Sequence, residues 1–229
     1  MKIVILAGGL GSRLSEHTKL IPKPMVKILG VPIIVRIIKF YHKFGYKDFI
    51  IASGYKHRIV KDYFDKNHKN LNIKIVNTGQ KTMTGGRVKR IKKYIGNERF
   101  MLTYGDGLSN VNLNGLLSFH KKSKNYITLT AVRPPARFGG LKISGKKVKY
   151  FKEKSSLEEG WINGGFFVIE PSIFKFIKND QTILERFPLE KICEKNKLGA
   201  FKHHGYWQCM DTIRDKQILE ILVKKNLLR

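Results

Sequence analysis

Short apolar runs alternate along the first half of the chain with segments whose apolar residues recur every three or four positions. The continuous runs predict strands buried on both faces, and the spaced segments predict amphipathic helices that bury one stripe. The predicted strands are 2–7, 48–52, 73–77 and 100–104, and the predicted helices are 32–44, 57–64, 86–95 and 113–122. This βαβ alternation predicts an α/β fold with a mostly parallel sheet flanked by helices.

The pattern changes after Tyr126, where the apolar runs become shorter. A mixed region of the sheet is expected there, with strands at 127–132, 141–143, 148–151 and 162–169. Pro171 opens a short predicted helix, and two further helices are predicted at 188–195 and 212–225. The sequence contains no internal repeat, low-complexity stretch or linker, so we expect one domain over residues 1–229.

Composition narrows the class of protein. A chain of 229 residues is long enough to bury a continuous core, and its two cysteines, Cys193 and Cys209, indicate a reduced intracellular protein. Gly8 and Gly9 interrupt the apolar amino-terminal run before it reaches the length of a signal-peptide core. No later stretch reaches the roughly 18 uncharged residues that a membrane helix needs. We expect a cytoplasmic protein without a membrane partner.

The net charge of +28, from 45 basic and 17 acidic residues, is compatible with nucleic-acid binding. However, the lysines are scattered along the whole chain and no recognition motif accompanies them. Scattered lysines are typical of solvated faces, so nucleic acid is not an expected partner. A positive field would also attract small anions such as nucleoside triphosphates and sugar phosphates.

The first predicted strand runs into a glycine-rich turn with the sequence Leu6-Ala7-Gly8-Gly9-Leu10-Gly11-Ser12-Arg13. Glycines allow backbone amides to approach phosphate oxygens closely, and Arg13 adds a forked cation for the same anion. The turn is not a Walker loop, and Leu14 occupies the third glycine position of the dinucleotide fingerprint. Phosphate binding is therefore the functional hypothesis, and an ordinary turn after a strand is the alternative.

Three charged residues elsewhere in the chain are candidates for the same chemistry. Lys23 lies between two prolines, which stiffen the backbone and make it a candidate for a triphosphate oxygen. Asp106 follows the strand 100–104, and Asp211 precedes the last helix. Two carboxylates can hold Mg²⁺, whose other ligands come from water and substrate phosphates. Asp106 as a turn residue and Asp211 as a helix cap are the alternatives.

Several segments together resemble a known family. Residues 6–14 followed by 22–25 are similar to the signature of the sugar-1-phosphate nucleotidyltransferases. Within that family, four further segments resemble the glucose-1-phosphate cytidylyltransferase branch, namely 82–90, 103–107, 163–167 and 210–212. The resemblance spans nearly the whole chain and implies a Rossmann-like fold of the nucleotide-diphospho-sugar transferase type.

The resemblance also implies a reaction and its residues. It implies transfer of CMP from CTP to a sugar 1-phosphate, α-D-glucose 1-phosphate foremost, with Asp106 and Asp211 holding Mg²⁺. A phosphate nucleophile is already ionised near neutral pH, so catalysis reduces to alignment and charge neutralisation. Arg13, Lys23 and Lys154 are the implied catalytic cations, for the departing pyrophosphate, the α-phosphate and the sugar phosphate respectively. The implied nucleotide-binding residues are Leu6, Ala7, Gly8, Gly9, Gly11, Ser12, Arg13, Lys23, Thr82, Arg87 and Gly105, and the implied sugar-binding residues are Glu153, Lys154, Asn163 and Gly164.

The sequence leaves several alternatives open. Ser155 replaces the proline that usually follows the Glu-Lys pair, and longer relatives carry an insertion between the positions of Phe64 and Ile73 and an extension past the last helix. A different triphosphate, sugar or small phosphomonoester is therefore compatible with the sequence, as is a homo-oligomer. Thr84 as a helix cap, Arg87 as a solvated side chain and Asn163 as a turn residue are the structural alternatives. A non-catalytic nucleotide sensor or nucleic-acid-binding protein would be expected to lack the paired aspartates.

Overall fold

The computed structural model describes residues 1–11, 14, 18–67, 71–134, 140–152 and 160–228. Within these residues, eight strands form a central sheet and three pairs of short strands lie outside it. The strands are β1 (Ile3–Ala7), β2 (Lys27–Ile28), β3 (Val31–Pro32), β4 (Asp48–Ser53), β5 (Asn72–Asn77), β6 (Phe100–Tyr104), β7 (Gly107–Ser109), β8 (Ile127–Val132), β9 (Gly140–Ser144), β10 (Lys147–Lys152), β11 (Ile162–Asn163), β12 (Phe167–Ile169), β13 (Leu198–Lys202) and β14 (Trp207–Cys209).

Helices cover the sheet, as the apolar periodicity predicts. The α-helices are α1 (Ile33–Lys43), α2 (His57–Asn67), α3 (Thr84–Arg90), α4 (Lys92–Ile95), α5 (Leu113–Ser123), α6 (Phe187–Glu194) and α7 (Ile213–Lys224), and 3₁₀ helices span Lys23–Met25 and Pro171–Phe176. None of the helices in the described part of the chain has the length and apolar character that crossing a membrane requires.

One half of the sheet is parallel. β1 lies between β4 and β6 and pairs with both in parallel, and β5 continues the sheet beyond β4. All five residues of β1 are buried, because helices cover both faces of this half. The parallel arrangement brings the carboxyl ends of β1 and β6 to the same edge, where open α/β sheets place their ligands.

The other half of the sheet is mixed. β12 pairs antiparallel with both β6 and β8, β11 pairs antiparallel with β8, and β13 pairs with β8 in parallel. The expected fold class, a mostly parallel mixed sheet flanked by helices, is confirmed.

The core occupies both faces of the sheet, because successive side chains of a strand point in opposite directions. Ile3 and Ile5 of β1 belong to the cluster under α1, whereas Val4 and Leu6 belong to the cluster on the opposite face. On the α1 side the ring of Tyr41 stacks on Phe166, with centroids 6.1 Å apart.

Two predicted elements are each interrupted in the structure. The predicted strand 162–169 is broken into β11 and β12, because Gly165 and Phe166 adopt φ values of 76° and 48° that no strand accommodates. The predicted helix 86–95 is two helices, α3 and α4, with Ile91 at φ −93° and ψ 0° between them. The pairs β2–β3 and β7–β14 were not predicted, since two- and three-residue strands carry too little periodicity. The edge strand β13 was missed because its sequence, LGAFK, has no continuous apolar run.

Candidate active site

A cavity of about 1150 Å³ opens at the carboxyl ends of β1 and β6. Leu6, Ala7, Gly8, Gly9 and Gly11 line it from the glycine-rich turn. The remaining sequence-predicted residues that line it are Lys23, Thr82, Arg87, Gly105, Asp106, Asn163 and Asp211. The predicted site residues Ser12, Arg13, Glu153 and Lys154 lie outside the described residues.

Lys23 lies between the two predicted carboxylates. Its ammonium donates to Asp106 Oδ2 at 2.6 Å and to Asp211 Oδ1 at 2.7 Å, although these partners are 83 and 188 positions away in the sequence. The side chain is presented by the 3₁₀ helix Lys23–Met25, and the residue is only 8% exposed. Burial alone would lower the pKa of Lys23, but the two carboxylates outweigh it and raise that pKa above its ordinary value. The lysine is therefore a fixed cation.

A short antiparallel pair brings the two aspartates together. Cys209 of β14 pairs with Gly107 of β7, so the residue before β7 and the residues after β14 are adjacent. The Met210 amide also donates to the Asp106 carbonyl at 2.9 Å. This pairing was not foreseen, since neither strand has a recognisable pattern, and it is the local reason that the carboxylates converge.

Asp211 is not the cap of the last helix. Thr212 is the N-cap of α7, where its side chain accepts from the Asp215 amide and the Asp215 carboxylate accepts from the Thr212 amide. Asp215 also accepts from the Asp211 amide at 3.1 Å, which fixes the backbone of Asp211. The capping alternative is therefore wrong, and the Asp211 carboxylate is oriented toward Lys23 instead.

The two carboxylates suit a hard divalent cation that takes most of its ligands from water and substrate. Asp106 and Asp211 both line the cavity, and their carboxylates contact the same ammonium, that of Lys23. The described residues contain no group of three or more His, Cys, Asp and Glu side chains that could hold a metal. Two carboxylates, water and substrate phosphates are together a suitable oxygen set for such an ion.

Arg87 is buried rather than solvated. It is 4% exposed, and its terminal nitrogens donate to protein acceptors that include Gly8 O and Gly79 O, each at 2.7 Å. Burial, and to a smaller extent Arg90, lowers the pKa of Arg87 to about 10, so it stays charged near neutrality. The solvated alternative is therefore wrong, and no sequence pattern indicates that the guanidinium is enclosed.

Thr82 and Thr84 precede Arg87 at the cavity wall. Thr82 is buried, and the Thr84 hydroxyl donates to Glu185 Oε2 at 2.6 Å and accepts from the Leu184 amide at 2.9 Å. The N-cap of α3 is Met83, without a side-chain hydrogen bond, so Thr84 is not a helix cap.

A hydrogen-bonded chain of side chains lines the wall near Asn163. Asn163 Nδ2 donates to the Tyr104 hydroxyl at 3.2 Å, and that hydroxyl donates to Glu185 Oε1 at 2.6 Å. Burial and the neighbouring Glu185 raise the pKa of Tyr104 well above its usual range, so the hydroxyl remains a donor. Asn163 Oδ1 also accepts from the Gly165 amide at 2.9 Å, which is the predicted turn contact. Glu185 was not predicted, because no motif surrounds it in the sequence.

Gly164 is required by packing. A Cβ at this position would lie 2.6 Å from Val132 Cγ1. Its carbonyl accepts from the indole of Trp207 at 2.8 Å, which connects β14 to the turn between β11 and β12. The central sheet and the β7–β14 pair are therefore joined at this wall of the cavity.

The chain is similar to known proteins over nearly its whole length. The sequence profile of the nucleotidyl transferase family matches residues 2–215. The chain is 45% identical over 249 aligned positions to glucose-1-phosphate cytidylyltransferase of Salmonella typhi, with 99% of this chain and 97% of that protein covered. It is 39% identical to the probable glucose-1-phosphate cytidylyltransferase of Bacillus subtilis, with 96% and 94% covered.

A solved structure agrees with the fold. The crystal structure of HddC from Yersinia pseudotuberculosis superposes with a TM-score of 0.78 at 26% identity, covering 97% of this chain and 99% of that one. The alignment with the Salmonella protein has more positions than the 229 residues of this chain, so that relative has additional residues within the aligned region. The resemblance inferred from the motifs is confirmed.

Proposed function

Because the chain belongs to the nucleotidyl transferase family, we propose that it transfers CMP from CTP to a sugar 1-phosphate, with α-D-glucose 1-phosphate as the acceptor. The products are a CDP-sugar and pyrophosphate. The names of the relatives at 45% and 39% identity support this choice of donor and acceptor. We also propose that one domain over residues 1–229 does this work, in the cytoplasm, where two free cysteines are stable.

One observation carries the proposal, namely the convergence of Lys23, Asp106 and Asp211 beside the glycine-rich turn. A triphosphate needs a backbone that approaches it closely and fixed positive charge beside it. The turn from Gly8 to Gly11 offers the backbone, and Lys23 offers an immobile charge. A nucleotide-sensing or nucleic-acid-binding protein would be expected to lack the paired aspartates, and both are present here.

Asp106 and Asp211 would hold Mg²⁺. When bound, the ion neutralises phosphate charge and holds the phosphate oxygens in place. The contribution of the chain is to hold both carboxylates in place, through the ammonium of Lys23 and the amide contact of Asp211 with Asp215. We propose that Lys23 steadies the α-phosphate from the same position.

The reaction needs no general base. An oxygen of the sugar phosphate attacks the α-phosphorus of CTP, a new P–O bond forms, and the bond to the β-phosphate oxygen breaks to release pyrophosphate. The attacking oxygen is ionised near neutral pH, so alignment and neutralisation of charge account for the catalysis. Burial raises the pKa of the Cys209 thiol to about 12, so this cavity-lining cysteine is a neutral side chain rather than a nucleophile.

The remaining residues divide between donor and acceptor. We propose that Leu6, Ala7, Thr82 and Gly105 complete the nucleotide side of the cavity, and that Asn163 forms part of the sugar side. Gly164, the next residue in the same turn, would support the sugar side through its packing on Val132. Arg13, Ser12, Glu153 and Lys154 stay predictions from the family motifs. Among these, Arg13 is expected to contact the departing pyrophosphate and Lys154 the sugar phosphate.

The test is a pyrophosphate-release assay that crosses the four ribonucleoside triphosphates and dTTP with a panel of sugar 1-phosphates in the presence of Mg²⁺. We expect CTP with glucose 1-phosphate to give the highest kcat/KM. Omission of the acceptor is the control, and it should abolish release. Release with GTP but not CTP would contradict the proposed donor, and binding of CTP without release would contradict the enzymatic reading.

A further inference from the structure

We infer that Arg87 is a positioning residue, which fastens the carbonyl of Gly8 to the loop after β5 and so fixes the backbone that receives the nucleotide phosphates. The inference rests on the proposed function, because it assigns Arg87 a role within that reaction. It differs from the expectation of a direct contact with the nucleotide, since the effect of Arg87 is exerted through Gly8.

The contacts of the guanidinium join three parts of the chain that are distant in sequence. Nη2 donates to Gly8 O at 2.7 Å, at the end of β1, and Nη1 donates to Gly79 O at 2.7 Å, after β5. Further acceptors complete the set: Thr78 Oγ1 at 2.7 Å, Ser53 O at 3.3 Å and Gln80 O at 3.4 Å. Gly8 O accepts a second hydrogen bond, from the Tyr55 amide at 3.1 Å, so this carbonyl is held from two sides.

Two glycines lie against the guanidinium of Arg87, at positions where a larger residue would collide with it. A Cβ on Gly8 would lie 2.0 Å from Arg87 Nη1, and a Cβ on Gly54 would lie 2.3 Å from the same atom. The neighbouring backbone therefore makes room for the guanidinium. One reason for glycine at position 8 is thus a contact inside the protein, in addition to any approach of phosphate.

The terminal nitrogens of the guanidinium have little donor capacity left for a base. Its two terminal nitrogens carry four N–H groups, and five protein acceptors already face them. A buried cation is costly unless polar groups replace its water, and here carbonyl and hydroxyl oxygens do so. Lysine cannot reproduce this arrangement, because its three donors radiate from one nitrogen whereas the guanidinium is a planar fork.

Positioning of Gly8 and direct contact with the nucleotide base predict different results with pyrophosphate, which has phosphates but no base. The experiment compares wild type, Arg87→Lys and Arg90→Lys. It measures the KM for CTP in the forward direction and the KM for pyrophosphate in the reverse direction with CDP-glucose. Arg90 is the matched control, because it lies on the same helix and pairs with Asp180 at the surface.

We expect Arg87→Lys to raise both KM values by about 10-fold, the effect of losing one charge-assisted hydrogen bond, with the KM for glucose 1-phosphate changed less than about 2-fold. Arg90→Lys should match wild type. A rise for CTP with no rise for pyrophosphate would overturn the inference in favour of a base contact. No rise for either substrate would also overturn it.

A measurement without substrate separates this inference from the proposed reaction. In Arg87→Lys the Tyr55 amide should exchange hydrogen at least about 10-fold faster than in wild type, because the carbonyl that it donates to is no longer anchored. Unchanged exchange in Arg87→Lys, at a preserved melting temperature, would overturn the inference. Absence of turnover in wild type would instead overturn the proposed function and leave the exchange result interpretable.

Discussion

Both the backbone and the side chain of Lys23 are held in place at the candidate active site. Two prolines hold its backbone in a 3₁₀ helix, and two carboxylates hold its ammonium. A lysine loses considerable rotamer freedom when it is fixed, but here the contacts that fix it also hold the carboxylates of Asp106 and Asp211 in place. Removal of either carboxylate should therefore affect activity much more than folding.

Asp106→Asn tests this at the residue scale. The amide has nearly the same shape, so the fold should persist, but it offers no charge to a divalent ion or to Lys23. We expect kcat for pyrophosphate release to fall by about 10²- to 10³-fold, with a melting temperature within a few degrees of wild type. Asp180→Asn at the surface is the control and should retain full activity. Full turnover in Asp106→Asn would remove this residue from the proposed metal site.

Gly164→Ala tests the packing of the predicted sugar side. The added methyl group would lie 2.6 Å from Val132 Cγ1 and 3.1 Å from Thr130 O, so the turn between β11 and β12 must shift. We expect a loss of about 1–3 kcal/mol in the free energy of unfolding and a higher KM for the sugar 1-phosphate. Gly160→Ala, where a Cβ meets nothing within 4 Å in the part of the chain that the structure describes, should be neutral in both measurements. Equal effects of the two substitutions would contradict the packing argument.

Elements differ in how far the sequence predicted them. Long apolar runs gave strands such as β6 (100–104) and β8 (127–132) with their observed ends, and α5 was predicted to within one residue. The periodicity of a strand or helix depends only on residues that are close in sequence, so the sequence alone can reveal it. The break between β11 and β12 was missed, because an apolar run does not reveal the positive φ of Phe166.

The convergence of the site was predicted from the family resemblance and not from the pattern. Periodicity places Asp106 at the end of a strand but gives no reason for Asp211 to lie beside it. That proximity depends on the pairing of β7 with β14, two strands of three residues each. Glu185 was missed for a related reason, since its bonds with Tyr104 and Thr84 join residues about 80 and 100 positions apart.

His120 provides a prediction at the level of element packing. It lies on α5 with 1% exposure, and its ring contacts Thr128 of β8 and the carboxylate of Glu170, which also pairs with Arg99. Burial lowers the pKa of His120 below its ordinary value of 6.5, although Glu170 acts in the opposite direction. The unfolded chain therefore binds the proton more readily, and stability is lost as the pH falls below about 6.5.

We expect His120→Gln to reduce the difference in unfolding free energy between pH 7 and pH 5, as measured by urea denaturation. The variant should be less stable at pH 7, because the ring is lost from a packed position, but it carries no group that must be protonated on unfolding. His42→Gln, at an exposed position of α1, is the control and should keep the wild-type pH dependence. An unchanged pH dependence in His120→Gln would contradict the assignment.

At the scale of the whole molecule, the main feature is the excess of positive charge. A net charge of +28 raises the local concentration of anionic substrates around the cavity, and salt screens this field within roughly 10 Å at 0.1 M. The fold class could be predicted from the alternation of strand and helix patterns. The role of the charge could not, because the lysines are scattered along the chain and do not indicate one binding surface.

Salt dependence tests whether the charge contributes to substrate capture. We expect kcat/KM for CTP to fall several-fold between about 0.05 and 0.3 M NaCl, while kcat changes little, because screening acts on encounter rather than on chemistry. Sucrose at equal osmolality is the control and should leave kcat/KM nearly unchanged. Insensitivity to salt would show that the surface charge does not assist binding.

The pairing of β7 with β14 also sets when activity can arise during synthesis. A growing chain acquires Lys23 and Asp106 early, but Asp211 arrives only with the last strand and the helix that follows it. Any fragment ended by premature termination or by proteolysis ahead of β14 retains the glycine-rich turn without the second acidic ligand. Such a fragment would be expected to consume no triphosphate, so a prematurely ended product should not waste nucleotide.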